Sequence, residues 1–246
     1  LTVPEGKRKS YNNMLNAQTA ANTANTASAA TVTLYVPMQF FCNRNDGLAL
    51  PLIALQYHDL KLDFEFDTAA NAGITGGTPS ISSTSLLVDY IYLDSAERKR
   101  FAQAAHEYLI EQVQHTSEAV TATTNKVRLN FNHPCKELIW KVTSASTTEA
   151  KLRLNGHDRM SAQSYVYFND VQPWQHHTNG HVDDVCVYSF ALNPEDHQPS
   201  GTCNFSRIDN AILHVTADGA GTVNVYAVNY NVLRIMSGMG GLAYSN

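Results

Sequence analysis

Short runs in which apolar residues fall on every second position recur along this chain, and they constrain its fold more than any other feature. Successive side chains of a strand point to opposite faces, so such a run builds a strand with one buried face and fits no amphipathic helix. Val127, Leu129 and Phe131 form one run; Leu138, Trp140 and Val142 form the next, followed by Ala150, Leu152 and Leu154. Residues 165–168, 185–192, 211–215 and 223–233 continue the series, with Gly, Pro, Asn and Asp turns between them and a long polar loop over 169–184. Many short strands at this spacing predict an all-β sandwich or barrel. The block 117–246 is large enough for a complete eight-stranded jelly roll. Its expected core holds Leu138, Trp140, Val142, Leu152, Leu154, Val185 and Val187.

The first block repeats the pattern with fewer strands. Val32, Leu34, Val36, Met38 and Phe40 alternate, with Pro37 marking an edge or a bulge. Leu60, Leu62, Phe64 and Phe66 alternate strictly with Asp59, Lys61, Asp63 and Glu65, which predicts a strand with one wet face. Residues 86–93 are apolar on both faces and predict a central strand. Asn45-Asp46-Gly47 is a turn signal. The stretches 17–31 and 68–85 are rich in Ala, Thr, Ser, Asn and Gly and are expected as surface loops. Three or four strands cannot close a barrel, so residues 1–94 are expected to be the C-terminal part of a first barrel. Between the blocks, Asp94 and Glu97 have capping-box spacing, and Phe101, Ala105, Tyr108, Leu109 and Val113 follow at helical spacing. This predicts a helix over 95–113, within a connecting segment 95–116. Its Arg98-Lys99-Arg100 triplet reads as a solvated helix face rather than an anion site.

Composition narrows the function. The net charge of −5 argues against a nucleic-acid binder, which needs a basic face. Charged residues are 16% of the chain, below the roughly one quarter that is usual, so neighbours rather than water are expected to cover much of the surface. No run approaches the ~20 apolar residues of a membrane helix. The chain opens Leu1-Thr2-Val3-Pro4 with neither an initiator Met nor an apolar leader, which reads as a fragment or a processed product. Cys42, Cys135, Cys186 and Cys203 are widely spaced, contain no CxxC pair, and read as free thiols in a reducing compartment.

Candidate chemistry is sparse. His176, His177 and His181, with Asp183 and Asp184, form the densest group of potential metal ligands, but they sit in a polar loop and read better as hydrogen-bonded loop residues. His106-Glu107 begins like a zinc-protease motif, yet position 110 is Ile. Gly238-Met239-Gly240-Gly241-Leu242-Ala243 matches a dinucleotide fingerprint without room for the helix that must follow; the glycines read as a tight turn of the tail against a neighbour. His58-Asp59, His157-Asp158 and Asp196-His197 lack a nucleophile. Asn204-Phe205-Ser206 is an N-glycosylation sequon, read as a turn amide. No catalytic residue, metal site or cofactor is therefore expected.

Five strings carry a resemblance. They are Leu50-Pro51-Leu52-Ile53-Ala54-Leu55-Gln56-Tyr57-His58, the segment from Asp89-Tyr90-Ile91-Tyr92-Leu93-Asp94 to Gln112-Val113-Gln114, His133-Pro134-Cys135-Lys136-Glu137-Leu138-Ile139-Trp140, Pro173-Trp174-Gln175-His176-His177-Thr178, and the long run from Tyr188 to Asn210 through Asn193-Pro194-Glu195-Asp196-His197. In this order they resemble the major capsid proteins of nucleocytoplasmic large DNA viruses. The resemblance implies two jelly rolls in tandem, the first incomplete here, joined by the helix near 95. It also implies a homotrimeric, pseudo-hexagonal capsomer that tiles an icosahedral shell, minor capsid proteins as partners, and assembly in the host cytoplasm. The polar loops 17–31, 68–85 and 169–184 would then form the outward, variable surface. The competing expectation is a jelly-roll carbohydrate-binding module or metal-dependent enzyme using Trp174, His176 and His177.

Overall fold

The alternating runs of the second block become strands because each finds a partner in one of two antiparallel sheets. A computed structural model of the chain describes residues 3–15, 33–66, 80–180 and 182–244. Its strands are β1 (His106–Val120), β2 (Thr124–Arg128), β3 (Pro134–Thr143), β4 (Thr147–Leu154), β5 (His157–Asp158), β6 (Gln163–Ser164), β7 (Cys186–Ser189), β8 (Cys203–Asn204), β9 (Ala211–Ala217), β10 (Gly221–Met236) and β11 (Met239–Leu242). One sheet runs β1-β10-β3-β7, with β11 on β10 and β8 on β3; the other runs β2-β9-β4-β5, with β6 on β4. Strands β1 to β4 thus alternate between the sheets. The late strands return between them, β10 between β1 and β3 and β9 between β2 and β4, which is the interleaving of a jelly roll.

The core fills the space between the sheets. Leu138, Trp140 and Val142 of β3 and Val223, Val225 and Ala227 of β10 face Ala150 and Leu152 of β4 and Leu213 and Val215 of β9. Trp140, 1% exposed, meets Phe168 edge to face at 5.0 Å between ring centroids. Val187 is buried as expected, whereas Leu154 and Val185 are half-buried, because each sits where its strand meets a turn.

Three expectations change. The helix α3 spans only Ser95–Gln103. Its capping box forms, with Asp94 Oδ1 accepting from the amides of Ala96 and Glu97 and Glu97 Oε2 accepting from the amide of Asp94. Ala104 then turns extended, and 106–113 belongs to β1, which pairs with β10 without a break from His106↔Ile235 to Val120↔Gly221. A fifteen-residue ladder outweighs a local helical spacing that buries no face. Residues 165–168 are helical rather than a strand. A wide turn over Tyr167–Val171 leads into α4 (Gln172–His176), with Pro173 in its first turn, so the expected loop 169–184 is partly helical. The buried Asn169 replaces a ladder there, donating to the carbonyls of Val182 and Val185 at 2.7 Å each.

The third change concerns the first block. Residues 33–40, 59–66 and 80–93 take part in no ladder, and their large side chains stand in solvent, Leu87 80% and Tyr92 91% exposed. An extended segment becomes a strand only when a neighbour takes its N–H and C=O groups in series, and among the described residues only isolated bonds form here, such as that from the amide of Tyr35 to the carbonyl of Met14. Val32, the loop 17–31 and most of 68–85 lie outside the described residues. The helical elements described in this block are short: α1 (Glu5–Met14), α2 (Phe41–Arg44), and single tight turns at Asp46–Leu48 and Leu52–Ala54. The Asn45 side chain accepts from the amide of Gly47, as the turn signal required. The tail glycines turn against this block of the same chain. Gly238 (φ +81°) closes the β10–β11 hairpin, accepts from the amide of Tyr57 at 2.9 Å, and leaves no room for a Cβ beside the Tyr57 ring.

Candidate functional site

The most elaborate polar site lies on the outer face of the β1-β10-β3-β7 sheet, where β3 carries one extra residue. Val228 pairs with Glu137 and Asn229 with Cys135, so Lys136 is the bulge. Two consecutive charges thereby enter one buried spot. Lys136, 1% exposed, puts Nζ 2.6 Å from Glu111 Oε1 on β1 and lies over the Tyr230 ring. Glu111 also takes Arg44 of α2 at 2.9 Å, which ties the first block to the sandwich.

Glu137 anchors the other half. His177, just past α4, stands between two carboxylates, with Nδ1 3.0 Å from Glu195 Oε1 and Nε2 3.0 Å from Glu137 Oε2. The first is a hydrogen bond; the second approaches off the N–H axis and is an ion contact. Glu195 also accepts from the amide and hydroxyl of Thr178. Burial of the ring works against its charge, but the carboxylates outweigh burial and raise the His177 pKa above its ordinary value. Burial likewise pushes the Glu195 carboxyl up, and Thr178 and His177 together bring it below its usual range. Nearby, the Lys136 carbonyl accepts from the amides of Phe190 and Ala191, and the Gln172 side chain accepts from the amide of Ser189. The strings 133–140, 173–178 and 188–210 converge here. The junction holds charge in place and offers no reacting atom, since both nitrogens of His177 are engaged by the chain itself and its side chain is 1% exposed.

The histidine-rich segment does not gather into a ligand set. His176 Nδ1 donates to the Leu192 carbonyl at 2.8 Å, away from His177. Asp184 accepts from the Ser146 hydroxyl while its amide donates to the Tyr165 hydroxyl. His181 lies outside the described residues, and among the described residues no three His, Cys, Asp or Glu side chains could hold a metal ion. His106 and Glu107 part company on β1, the first contacting the Phe101 carbonyl and the second pairing with Arg234. Asn204 of the sequon accepts from the amide of Ser206, whose hydroxyl accepts from the amide of His133. Sequence reasoning missed Glu111, Lys136, Glu137 and Glu195. The signal was present: Lys136-Glu137 interrupts an otherwise apolar strand, and adjacent charges there mark a bulge with its own partners.

Apolar surface is the other conspicuous feature. Trp174 is 78% exposed, Leu192 and Val113 are exposed, and a groove of about 280 Å³ on the outer sheet face is lined by Ile139, Val185 and Tyr226.

Comparison with known proteins identifies the setting. The large eukaryotic DNA virus major capsid protein family matches residues 97–147 and 141–241, and the major capsid protein N-terminus family matches residues 1–94. The major capsid protein of Pyramimonas orientalis virus is 51% identical over all of this chain and 70% of its own length. That of Paramecium bursaria Chlorella virus 1 is 41% identical over 86% of this chain and 66% of its own length. The crystal structure of PBCV-1 VP54, fitted into a reconstruction of the virophage Sputnik, superposes with a TM-score of 0.77 at 33% identity, covering all of this chain and 77% of that one. In the quasi-atomic model of the PBCV-1 capsid the TM-score is 0.72 over 98% of this chain and 79% of that one.

Proposed function

Because the chain belongs to the family of large eukaryotic DNA virus major capsid proteins, structural proteins rather than enzymes, we propose that three copies of the full-length protein close into a pseudo-hexagonal capsomer that tiles an icosahedral shell. The observation that carries this reading is the jelly-roll sandwich bearing large apolar side chains on its outer surface, in a chain with few charges. Two similar lobes per subunit, the first built around 1–94 and the second around the sandwich, give six lobes around a threefold axis. Cyclic closure needs a heterologous interface, one side of a subunit against a different side of the next. A permanent interface of this kind buries on the order of 2,000 Å² or more.

The proposal extends to the setting: the shell of the virion, assembled in the host cytoplasm with minor capsid proteins alongside. The carbohydrate or metal alternative draws less support, because His177 is engaged at both ring nitrogens and His176 at Nδ1 within the chain. Multi-angle light scattering on the full-length protein tests the capsomer. The expected result is a trimer mass that survives dilution, and a dilution-stable monomer overturns the proposal.

A further inference from the structure

The four cysteines are free, and their spacing in the sequence favours no pairing. The fold does favour one. Cys135 of β3 and Cys203 of β8 are direct register partners in an antiparallel pair. Opposed residues in such a ladder stand about 4.5–5.5 Å apart at Cα with side chains on one face. That separation lies within the ~4.4–6.8 Å that a disulfide spans. Both side chains point the same way, since Cys135 is part of the core and Cys203 packs against it. The other two thiols are differently placed: Cys186 on β7 faces Trp140 across its ladder, and Cys42 sits on α2.

We propose that Cys135 and Cys203 are a modification site, a cross-strand disulfide that forms when the folded protein meets an oxidised low-molecular-weight thiol such as glutathione disulfide. The two cysteines have unequal roles. Cys203 is half-buried whereas Cys135 is buried, so Cys203 is the one that meets the reagent; burial pushes its thiol pKa up, and Arg159 offsets only part of that rise. Cys135 is fully buried and its thiol donates to the Glu137 carbonyl at 3.1 Å. The Cys203 thiolate attacks one sulfur of glutathione disulfide, forming a mixed disulfide and expelling one glutathione thiolate. Cys135 then gives up its proton and attacks the Cys203 sulfur, expelling the second glutathione. In sum, two protein thiols and one glutathione disulfide become one protein disulfide and two glutathione thiols.

The bond would fix the short pair β3–β8 and hold the base of the 190–202 segment, which carries Glu195 of the His177 junction. A ring closed over residues 135–203 is long, and long rings take the most conformational freedom from the unfolded chain. The inference stands independently of the capsomer proposal, because it concerns a contact within one chain.

Equilibration of the folded chain with glutathione disulfide, followed by an acid quench, alkylation and digestion without reductant, tests it. The expected product is one dominant cross-linked peptide joining Cys135 to Cys203, with Cys42 and Cys186 alkylated. Cys42→Ser and Cys186→Ser should keep that cross-link. The same mixture in denaturant should give mixed pairings. Arrest at a glutathione adduct of Cys203, or the same mixed pairings in folded and unfolded protein, overturns the proposal. The main map uses the unmutated chain, so a folding defect in either variant would not blunt it.

Discussion

Residues 59–66 and 211–217 are written in the same pattern, yet they end in opposite states. In the second, every other side chain of β9 is buried without exception. In the first, Leu60, Leu62, Phe64 and Phe66 alternate just as strictly and all are exposed. The difference is the company each keeps: β9 has β2 on one side and β4 on the other, while 59–66 has no ladder partner among the described residues. Period-two alternation states which face a strand would bury; only a neighbouring strand and an opposite sheet make the burial happen.

The largest expected effect tests that contrast at its core. Trp140→Ala removes a fully buried ring and its edge contact with Phe168, and should cost about 3–5 kcal/mol in chemical denaturation. Phe64→Ala, an aromatic at an equivalent alternating position in the first block, should change stability by less than about 0.5 kcal/mol. Similar costs at the two positions would erase the distinction.

The bulge offers the next test, because it joins the two regions. Lys136→Ala leaves the Glu111 carboxylate without its buried partner, although the more exposed Arg44 still reaches it. The expected loss is about 2–3 kcal/mol, below the full cost of an orphaned buried charge because Arg44 remains. Arg44→Ala, at the exposed end of the same carboxylate, should cost under about 1 kcal/mol. A reversed ranking would mean that the first block, rather than β3, holds Glu111.

Proton linkage gives a smaller effect with a fixed sign. The folded pKa of His177 is raised, so its contribution is fully present below the unfolded value of about 6.5 and is lost as pH rises through the folded value. Glu195 is lowered, so its share is present above the usual carboxylate range and fades as pH falls through the folded value. Stability from the junction should therefore be greatest in mildly acidic solution and decline toward alkaline pH. His177→Gln should flatten the alkaline side of a pH–stability profile. An unchanged slope in that variant would show that the imidazolium contributes nothing there.

Much of the sandwich was legible because β3, β4, β9 and β10 each declare a buried face, and Trp140, Leu138, Val142, Leu152 and Val187 stand where alternation puts them. The site was less legible. Its partners come from β1, β3, α4 and the segment after β7, so no local spacing links Glu111 to Lys136 or His177 to Glu195. The short α3 was misjudged for the same reason: Tyr108, Leu109 and Val113 fit a helix locally, and only the distant β10 makes them a strand. Capping chemistry, which depends on neighbours in sequence, was readable to the residue at Asp94 and Glu97.

The smallest effect expected in this chain is the most informative about the whole protein. Leu87 is four-fifths exposed and lies in a segment that is apolar on both faces. In this chain Leu87→Ser should be nearly silent, within about 0.5 kcal/mol, because a side chain already in water loses no burial. The segment 86–93 nevertheless has the composition of a strand covered on both sides, and this chain spans about two thirds of the length of several relatives. If the longer protein supplies the neighbours, the same substitution there should cost about 2–4 kcal/mol, the loss of a buried aliphatic together with a buried hydroxyl. Parallel denaturation of the two lengths reads this directly. A silent substitution in both would mean that 86–93 faces solvent in the complete subunit as well, and its double-sided apolar pattern would then mark a contact between subunits rather than the inside of a barrel.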